Sequence, residues 1–175
     1  MCSSDLIRVA ADDTTQAMFN VGTGAAGVAG LGAGVGVLSV ANNARASAGG
    51  TLAAGGAITV SSNLSETIDQ RSYAFEGGIV GLGASVSVMN VRSTSQAFLA
   101  DGTIVDKAAS VAINAVTSER LTAKSLGAQV GAVAGGASFS RVRVSNDGVT
   151  DTYAGIGKNA RVGTGVGTEI GRAHV

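Results

Sequence analysis

The chain has 175 residues, with 12 Lys+Arg against 12 Asp+Glu, 27 glycines, no proline, no tryptophan and 3% aromatics. That length is enough for one domain, but bulky side chains are too scarce for an ordinary globular core. The balanced charge, with no basic run and no acidic tail, gives no footprint for nucleic acid or a strongly charged partner.

The two ends are read first, because segments that are not native are excluded from fold reasoning. The head, Met1-Cys-Ser-Ser-Asp-Leu6, is what GTG TGC TCT TCC GAT CTN encodes, with GTG as an alternative start codon. The tail, Glu169-Ile-Gly-Arg-Ala-His-Val175, is what GAG ATC GGA AGA GCA CAC GTC encodes. These strings match opposite strands of one common sequencing-library adapter. Residues 1–6 and 169–175 are therefore expected to be adapter-derived, which leaves 7–168 as native sequence and the chain as an open-ended fragment. The only cysteine, Cys2, and the only histidine, His174, fall in those ends. The native span then has no disulfide framework, as suits a large exported bacterial chain that stays unfolded in transit.

Along the native span the dominant signal is repetition. Ile7-Arg-Val9 opens a unit that recurs as Ile58-Thr-Val60 and Val111-Ala-Ile113. Gly30-Leu-Gly-Ala-Gly-Val-Gly-Val-Leu-Ser-Val40 recurs as Gly81-Leu-Gly-Ala-Ser-Val-Ser-Val-Met-Asn-Val91, identical at seven of eleven positions. A weaker copy is Ala134-Gly-Gly-Ala-Ser-Phe-Ser-Arg-Val-Arg-Val144. The starts at Gly30, Gly81 and Ala134 lie 51 and 53 residues apart. Landmark spacings are constant except between Val40 and Val60 and between Val91 and Ile113, so each unit has fixed strand positions and one variable loop.

Within a unit, Ala84-Ser-Val-Ser-Val88 and Ser110-Val-Ala-Ile113 alternate at period two, the signature of a strand with two distinct faces. Ala100-Asp-Gly102 and Ser145-Asn-Asp-Gly148 carry turn chemistry between strands. A period above 20 residues built of short strands predicts an all-β fold, a parallel β-helix whose coils stack along one axis. A 22-residue segment is expected to make one coil and the remaining 29 to 31 residues a second. About six coils at ~4.8 Å each would give a rod about 30 Å long with a bare sheet edge at either end.

At these repeats the sequence resembles the giant filamentous adhesins of Gram-negative bacteria, the leukotoxin-like and autotransporter-type passengers. The resemblance rests on the Gly-Ala-rich V-x-V strands above and on the polar patches Val40-Ala-Asn-Asn43 and Met89-Asn-Val-Arg-Ser-Thr94. It rests further on an A-x-I-G element, Ala154-Gly-Ile-Gly157, followed by Ala160 and Val162. Looser copies are Ala97-Phe-Leu-Ala100, followed by Val105, and Ala46-Ser-Ala48. The third copy departs from the pattern. Arg141 stands where Val37 and Val88 stand, and four extra residues separate Val144 from Ala154. That puts a dry interior at this coil in question. The resemblance implies export through an outer-membrane translocator, placement at the cell surface or outside the cell, and adhesion to host glycan or protein through other regions of a longer chain.

Several segments carry candidate chemistry. Gly22-Thr-Gly-Ala-Ala-Gly27 matches the dinucleotide-binding G-x-G-x-x-G pattern, but glycine-rich sequence follows it and no acidic residue occurs between Asp13 and Glu66. A coil corner is the better reading. The span 14–44 has no charge and is long enough to cross a bilayer, yet its repeat partners contain alternating serine and then arginine, which favours a buried solenoid wall. Asp101, Asp106, Asp147 and Asp151 sit in related loops. They would make a carbohydrate-cleaving pair only if two carboxylates lay about 5 to 9.5 Å apart, and Asp-Gly turns explain them more simply. Arg141 and Arg143 are expected on one face, discouraging edge pairing.

The expectation is therefore a structural and adhesive repeat module, a stiff rod whose partners are neighbouring repeats of its own chain. It has no catalytic, cofactor-binding or metal-ligating residue and no cofactor. Two other classes stay open: a carbohydrate-active β-helix, and a glycine-rich membrane-active toxin segment.

Overall fold

The computed structural model describes residues 6–144 and 152–174, and within them the chain is strand almost throughout, with no helix. The first repeat supplies β1 (Ile7–Val40), β2 (Asn43–Ala48) and β3 (Thr51–Ala53). The second supplies β4 (Ala57–Val91), β5 (Thr94–Leu99) and β6 (Ile104–Lys107). The third supplies β7 (Ser110–Val130), β8 (Val133–Val144), β9 (Thr152–Ile156) and β10 (Arg161–Val162), and β11 (Gly167–His174) follows. Corresponding strands form three parallel sheets: β1-β4-β7-β11 with β8 also beside β4, then β2-β5-β9, then β3-β6-β10.

The register reproduces the sequence template. Ile7 pairs with Ile58 and Ile58 with Val111, while Val40 pairs with Val91 and Val91 with Val144. Val35 lies beside Val86. Ala46, Ala97 and Ala154, the first residues of the A-x-I-G elements, also line up. The variable loop falls where the spacing placed it. β5 and β6 are joined by the Ala100-Asp101-Gly102-Thr103 turn, longer than the Gly49-Gly50 link between β2 and β3. Gly50 and Gly102 sit at φ +84° and +71°, a conformation that side chains with a Cβ resist.

One expectation fails. A repeat is one layer of the stack, not two coils, because every parallel partner lies a full repeat away. Three repeats thus stack to roughly 14 Å at ~4.8 Å per strand, about half the expected length. The cause is a fold-back within the long strands. β4 runs outward to Gly78 and returns with its second half over its first: Ser85 Oγ donates to the Ser72 carbonyl at 3.0 Å. β5 continues along the same opposing wall, where the Ser62 and Ser95 hydroxyls lie 2.8 Å apart. The bend falls on register-matched glycines: Gly27 and Gly78 have φ +154° and +158°, and a Cβ on Gly131 would meet the Gly78 oxygen at 2.5 Å. Counting strand landmarks could not reveal that the 22-residue segment is an out-and-back arm.

Along β4 and β5 side chains alternate between interior and exterior, with a break at the 77–84 bend, whereas β8 is exposed along nearly its whole length. The cluster nearest β3, β6 and β10 is apolar: Ile58, Val60, Leu99, Val105, Val111 and Ile113 are its bulky members, all at 0 to 1% exposure. Each contributes about 1.5–3 kcal/mol by leaving water. A second cluster farther out joins Ile68 to Met89 and Val91. β11 extends the first sheet, pairing Ile170 with Ile113, and its Arg172 joins a column otherwise made of Ala11, Ser62 and Ala115.

Candidate functional site

Beyond Met89 the interior changes character. The inward residues of the returning half of β4 are Ser85 and Ser87, both fully buried, and their partners in β1 are Gly34 and Gly36. The valines of the same V-x-V strands point outward: Val35 and Val37 are exposed, and Val86 and Val88 are half-buried. Within span 14–44 one phase alone turns inward: Thr15, Ala17, Val21 and Thr23 on the outgoing half, half-buried, and Gly34 and Gly36 on the returning half, buried. Arg141 pairs with the outward Val88, so it causes no break in the interior. Arg141 and Arg143 both lie exposed on β8.

Glycine on the inward track lets the two halves approach closely. A Cβ on Gly34 would overlap the Tyr73 carbonyl oxygen, and one on Gly36 would lie 2.7 Å from Ser72 Oγ and 2.8 Å from Gln70 Nε2. On the outside this leaves an apolar stripe that crosses the repeats: Leu31, Leu82, then Val35, Val86 and Phe139. Exposed stripes of this kind mark interaction surfaces or aggregation hazards.

A second outward feature lies on the first half of β4. Arg71 donates through Nη2 to Asp69 Oδ2 at 2.5 Å and through Nε to both carboxylate oxygens at 3.1 Å. The hydrogen bond from Arg71 holds the Asp69 carboxyl below its ordinary range, and the same bond raises the guanidinium, helped by Tyr73. Next along the strand, the Tyr73 and Phe75 rings stand 6.1 Å apart and 11° from parallel. Lys124, one repeat on, pairs with Arg71 in register. On the β2-β5-β9 sheet, Arg45 lies 4.7 Å over the Phe98 ring, with Tyr153 beside it at 6.4 Å. Aromatic faces beside fixed cations are suited to flat polar ligands and to stacking.

Buried polar columns are the features that sequence reasoning missed. Glu66 is 1% exposed. Its Oε1 accepts from Asn42 Nδ2 at 2.5 Å and from Ser93 Oγ at 2.7 Å, while Oε2 is buried without a hydrogen bond. Asn42 also donates to Thr15 Oγ1 at 2.9 Å, and Thr15, Glu66 and Glu119 stack in register. Farther out, Glu76 is buried against Gly32 and Gly83 and accepts from Gln129 Nε2 at 3.3 Å. The signal was present. Continuing the period-two phase of Ile58 and Val60 puts residues 62, 64, 66, 68 and 70 inside.

The remaining sequence candidates are dispersed. Gly22–Gly27 runs as extended strand up to the bend and cradles nothing: a Cβ on Gly22 would meet no atom within 4 Å. Asp101 is spent on joining layers, accepting from the Lys158 amide in the next repeat's turn at 2.7 Å, and Asp106 is exposed near the end of β6. Asp147, Asp151 and the Ser145–Gly148 turn lie outside the described residues, as do residues 1–5 of the head with Cys2. Among the described residues no group of three or more His, Cys, Asp or Glu gathers around a point, and no helix is long and apolar enough to cross a membrane. No family model, no curated protein and no solved structure matches the chain.

Proposed function

We propose that this chain is a section of a parallel β-helical stalk from a large secreted or surface-exposed bacterial adhesin, and that its role is to hold other regions at a distance. One observation carries the reading: each repeat extends the same three sheets in the same register, the third with its long strand split into β7 and β8, and no cleft of converging groups is built among the described residues. Such a unit extends an array and stiffens it through continuous backbone ladders. Its nearest partners are preceding and following repeats, for which β1 and β11 offer strand edges at the two ends of the largest sheet. The Arg71–Tyr73–Phe75 strip and the apolar stripe are surfaces on which such a stalk would touch a host glycan or a neighbouring protein. Passage through an outer-membrane translocator belongs to the same reading.

Small-angle scattering on chains with one, two and four added copies of 57–109 tests it. The expected result is a constant cross-section and a length that grows by about 4.8 Å per copy. A radius that grows equally in all directions would overturn the stalk.

A further inference from the structure

We infer that the outward face of the returning half, formed by β1, β4 and β8, pairs two copies of this chain side by side. The inference concerns the chain alone and stands whether or not the repeats serve as a stalk.

The face is apolar where the interior behind it is not. Leu31, Val35 and Val37 are 66, 57 and 61% exposed, and Leu82 and Phe139 are 44 and 54% exposed. The inward positions behind them are Gly34, Gly36, Ser85 and Ser87, all buried. β1, β4 and β8 pair in parallel, and parallel sheets are ordinarily covered on both faces. Here one cover is missing, and an apolar face of this extent marks a contact surface.

Three features choose the partner. A bilayer is a poor fit, because the sheet is open at β1 and at β8 and their edge backbone groups would meet hydrocarbon. A glycan finds no hydrogen-bonding side chain from the Ala29 column through the Val35 column. A second copy fits, because the face repeats at the strand spacing. Leu31 stacks on Leu82, Ala33 on Ala84 and Ala137, and Val35 on Val86. Such a ladder is matched layer by layer by another with the same ~4.8 Å period, as in the dry interfaces between paired sheets.

The relief is also self-complementary. Outward residues of β1 alternate small and large: Ala29, Leu31, Ala33, Val35. Ala33, Ala84 and Ala137 line a recess beside Leu31 and Leu82. A half-turn about an axis parallel to the stack, between the Leu31 and Ala33 columns, generates the second copy. Leu31 and Leu82 of each copy then lie over Ala33 and Ala84 of the other, and Val35 lies over Ala29. Within these columns and up to Ser39, charge comes only from Arg141 and Arg143 on β8. The same half-turn holds the two Arg141 residues about 33 Å apart, so like charges do not oppose each other. The shared footprint is about 36 Å by 14 Å, close to 500 Å² per copy. About 1,000 Å² in all is the lower bound of a specific interface. The pair is therefore weak in this chain, and each further repeat would add about 170 Å² per copy.

Sedimentation equilibrium of the full chain from about 1 µM to 1 mM tests the pairing. The expected result is a mass that rises from one chain toward two and stops there. Leu82→Lys changes the middle strand, so it alters the face and neither sheet edge. It should weaken pairing at least tenfold while the β circular-dichroism signal stays that of the parent. Val86→Lys is the second variant, should the first fail to fold, with the same expected loss. Asn63→Lys puts the charge on the exposed outgoing half and should leave the association constant within about twofold. A Leu82→Lys chain mixed with an Ala84→Glu chain should pair at least tenfold more tightly than either alone, because the two columns face each other. A parent that stays single at 1 mM would overturn the proposal. So would association that ignores Leu82→Lys, or that grows past two copies, either of which would place the contact at the strand edges. Failure of the mixed pair would overturn the facing of the columns. Flotation of a single-chain parent with phosphatidylcholine vesicles, abolished by Leu82→Lys, would give the face to lipid and sink the proposal.

Discussion

The two ends of each layer use one backbone ladder but are held face to face by different forces. Near β3, β6 and β10 the facing walls are separated by Ile58, Leu99, Val105 and Ile113, and burial of branched side chains joins them. Toward the Gly27, Gly78 and Gly131 bend the walls are separated by glycine, alanine and serine, with Gln70 and Glu76 tucked into the space the glycines leave. There, little apolar area is removed from water. Cohesion comes from close backbone approach and from hydroxyl pairs such as Ser85 with Ser125, 2.9 Å apart. The lesson is that hydrophobicity and burial run opposite ways along one strand of β4. Met89 and Val91 are inside and apolar, whereas four residues earlier the inside is serine and the outside valine.

The sharpest way to break this contrast is to remove one pillar from each end. Leu99→Ala opens a cavity in the apolar cluster and is expected to cost about 2–5 kcal/mol, lowering the denaturation midpoint of the whole chain. Gly34→Val acts at the other end, where the new side chain meets the Tyr73 carbonyl and the walls must part. Overpacking of this kind costs about 1–3 kcal/mol. Its effect should stay local, with amide exchange accelerated in 19–40 and 70–91 and unchanged in 94–115. If Gly34→Val instead unfolds the chain as one unit, the two ends are not separable and the contrast is only chemical.

A gentler pair sharpens it. Val86→Ser, at an outward position, should change stability by no more than about 0.5 kcal/mol. Ser85→Val, one residue earlier, replaces the hydroxyl that bonds to the Ser72 carbonyl with a methyl and adds a second methyl at a position with no exposure. A cost of about 1–3 kcal/mol is expected. Chemical denaturation of both variants reads the difference, and a larger loss for the valine-to-serine change would mean that the faces are assigned the wrong way round.

That inversion marks how far the sequence was legible. Register, strand content and the place of the variable loop followed from Ile7, Ile58 and Val111 and from the V-x-V copies, because a stacked template forces like residues into one column. Which face of Ala84–Val88 is inside did not follow, since period two fixes that two faces differ but not which is buried. The preference for valine inside holds only where walls stand far enough apart to need it. The fold-back at Gly78 was hidden for a related reason. Glycine both bends a strand and lets two strands approach, and the repeated glycines of 22–36 do each at different positions. Glu66 was passed over because acidic residues were sought in loops, where aspartate favours turns, rather than on the inward phase of a long strand.

The smallest effect belongs to the outer strip, where charge lies in water. Asp69 is held below its ordinary carboxyl range chiefly by the hydrogen bond from Arg71. A carboxyl whose folded value is lowered adds stability above its unfolded value, near 3.8, and that contribution is lost as pH falls through the lowered folded value. Asp69→Asn should therefore melt slightly below the parent at pH 7, and the gap should close as the pH drops from about 4 toward 2. Exposed pairs are weak and salt-screened, so the gap should also shrink in molar salt. Leu99→Ala should show no such salt dependence, because the apolar end of the layer owes nothing to charge. A pH-independent deficit in Asp69→Asn would mean that the Asp69 side chain acts through packing against its neighbours instead, which would bring the outer face into the same regime as the core.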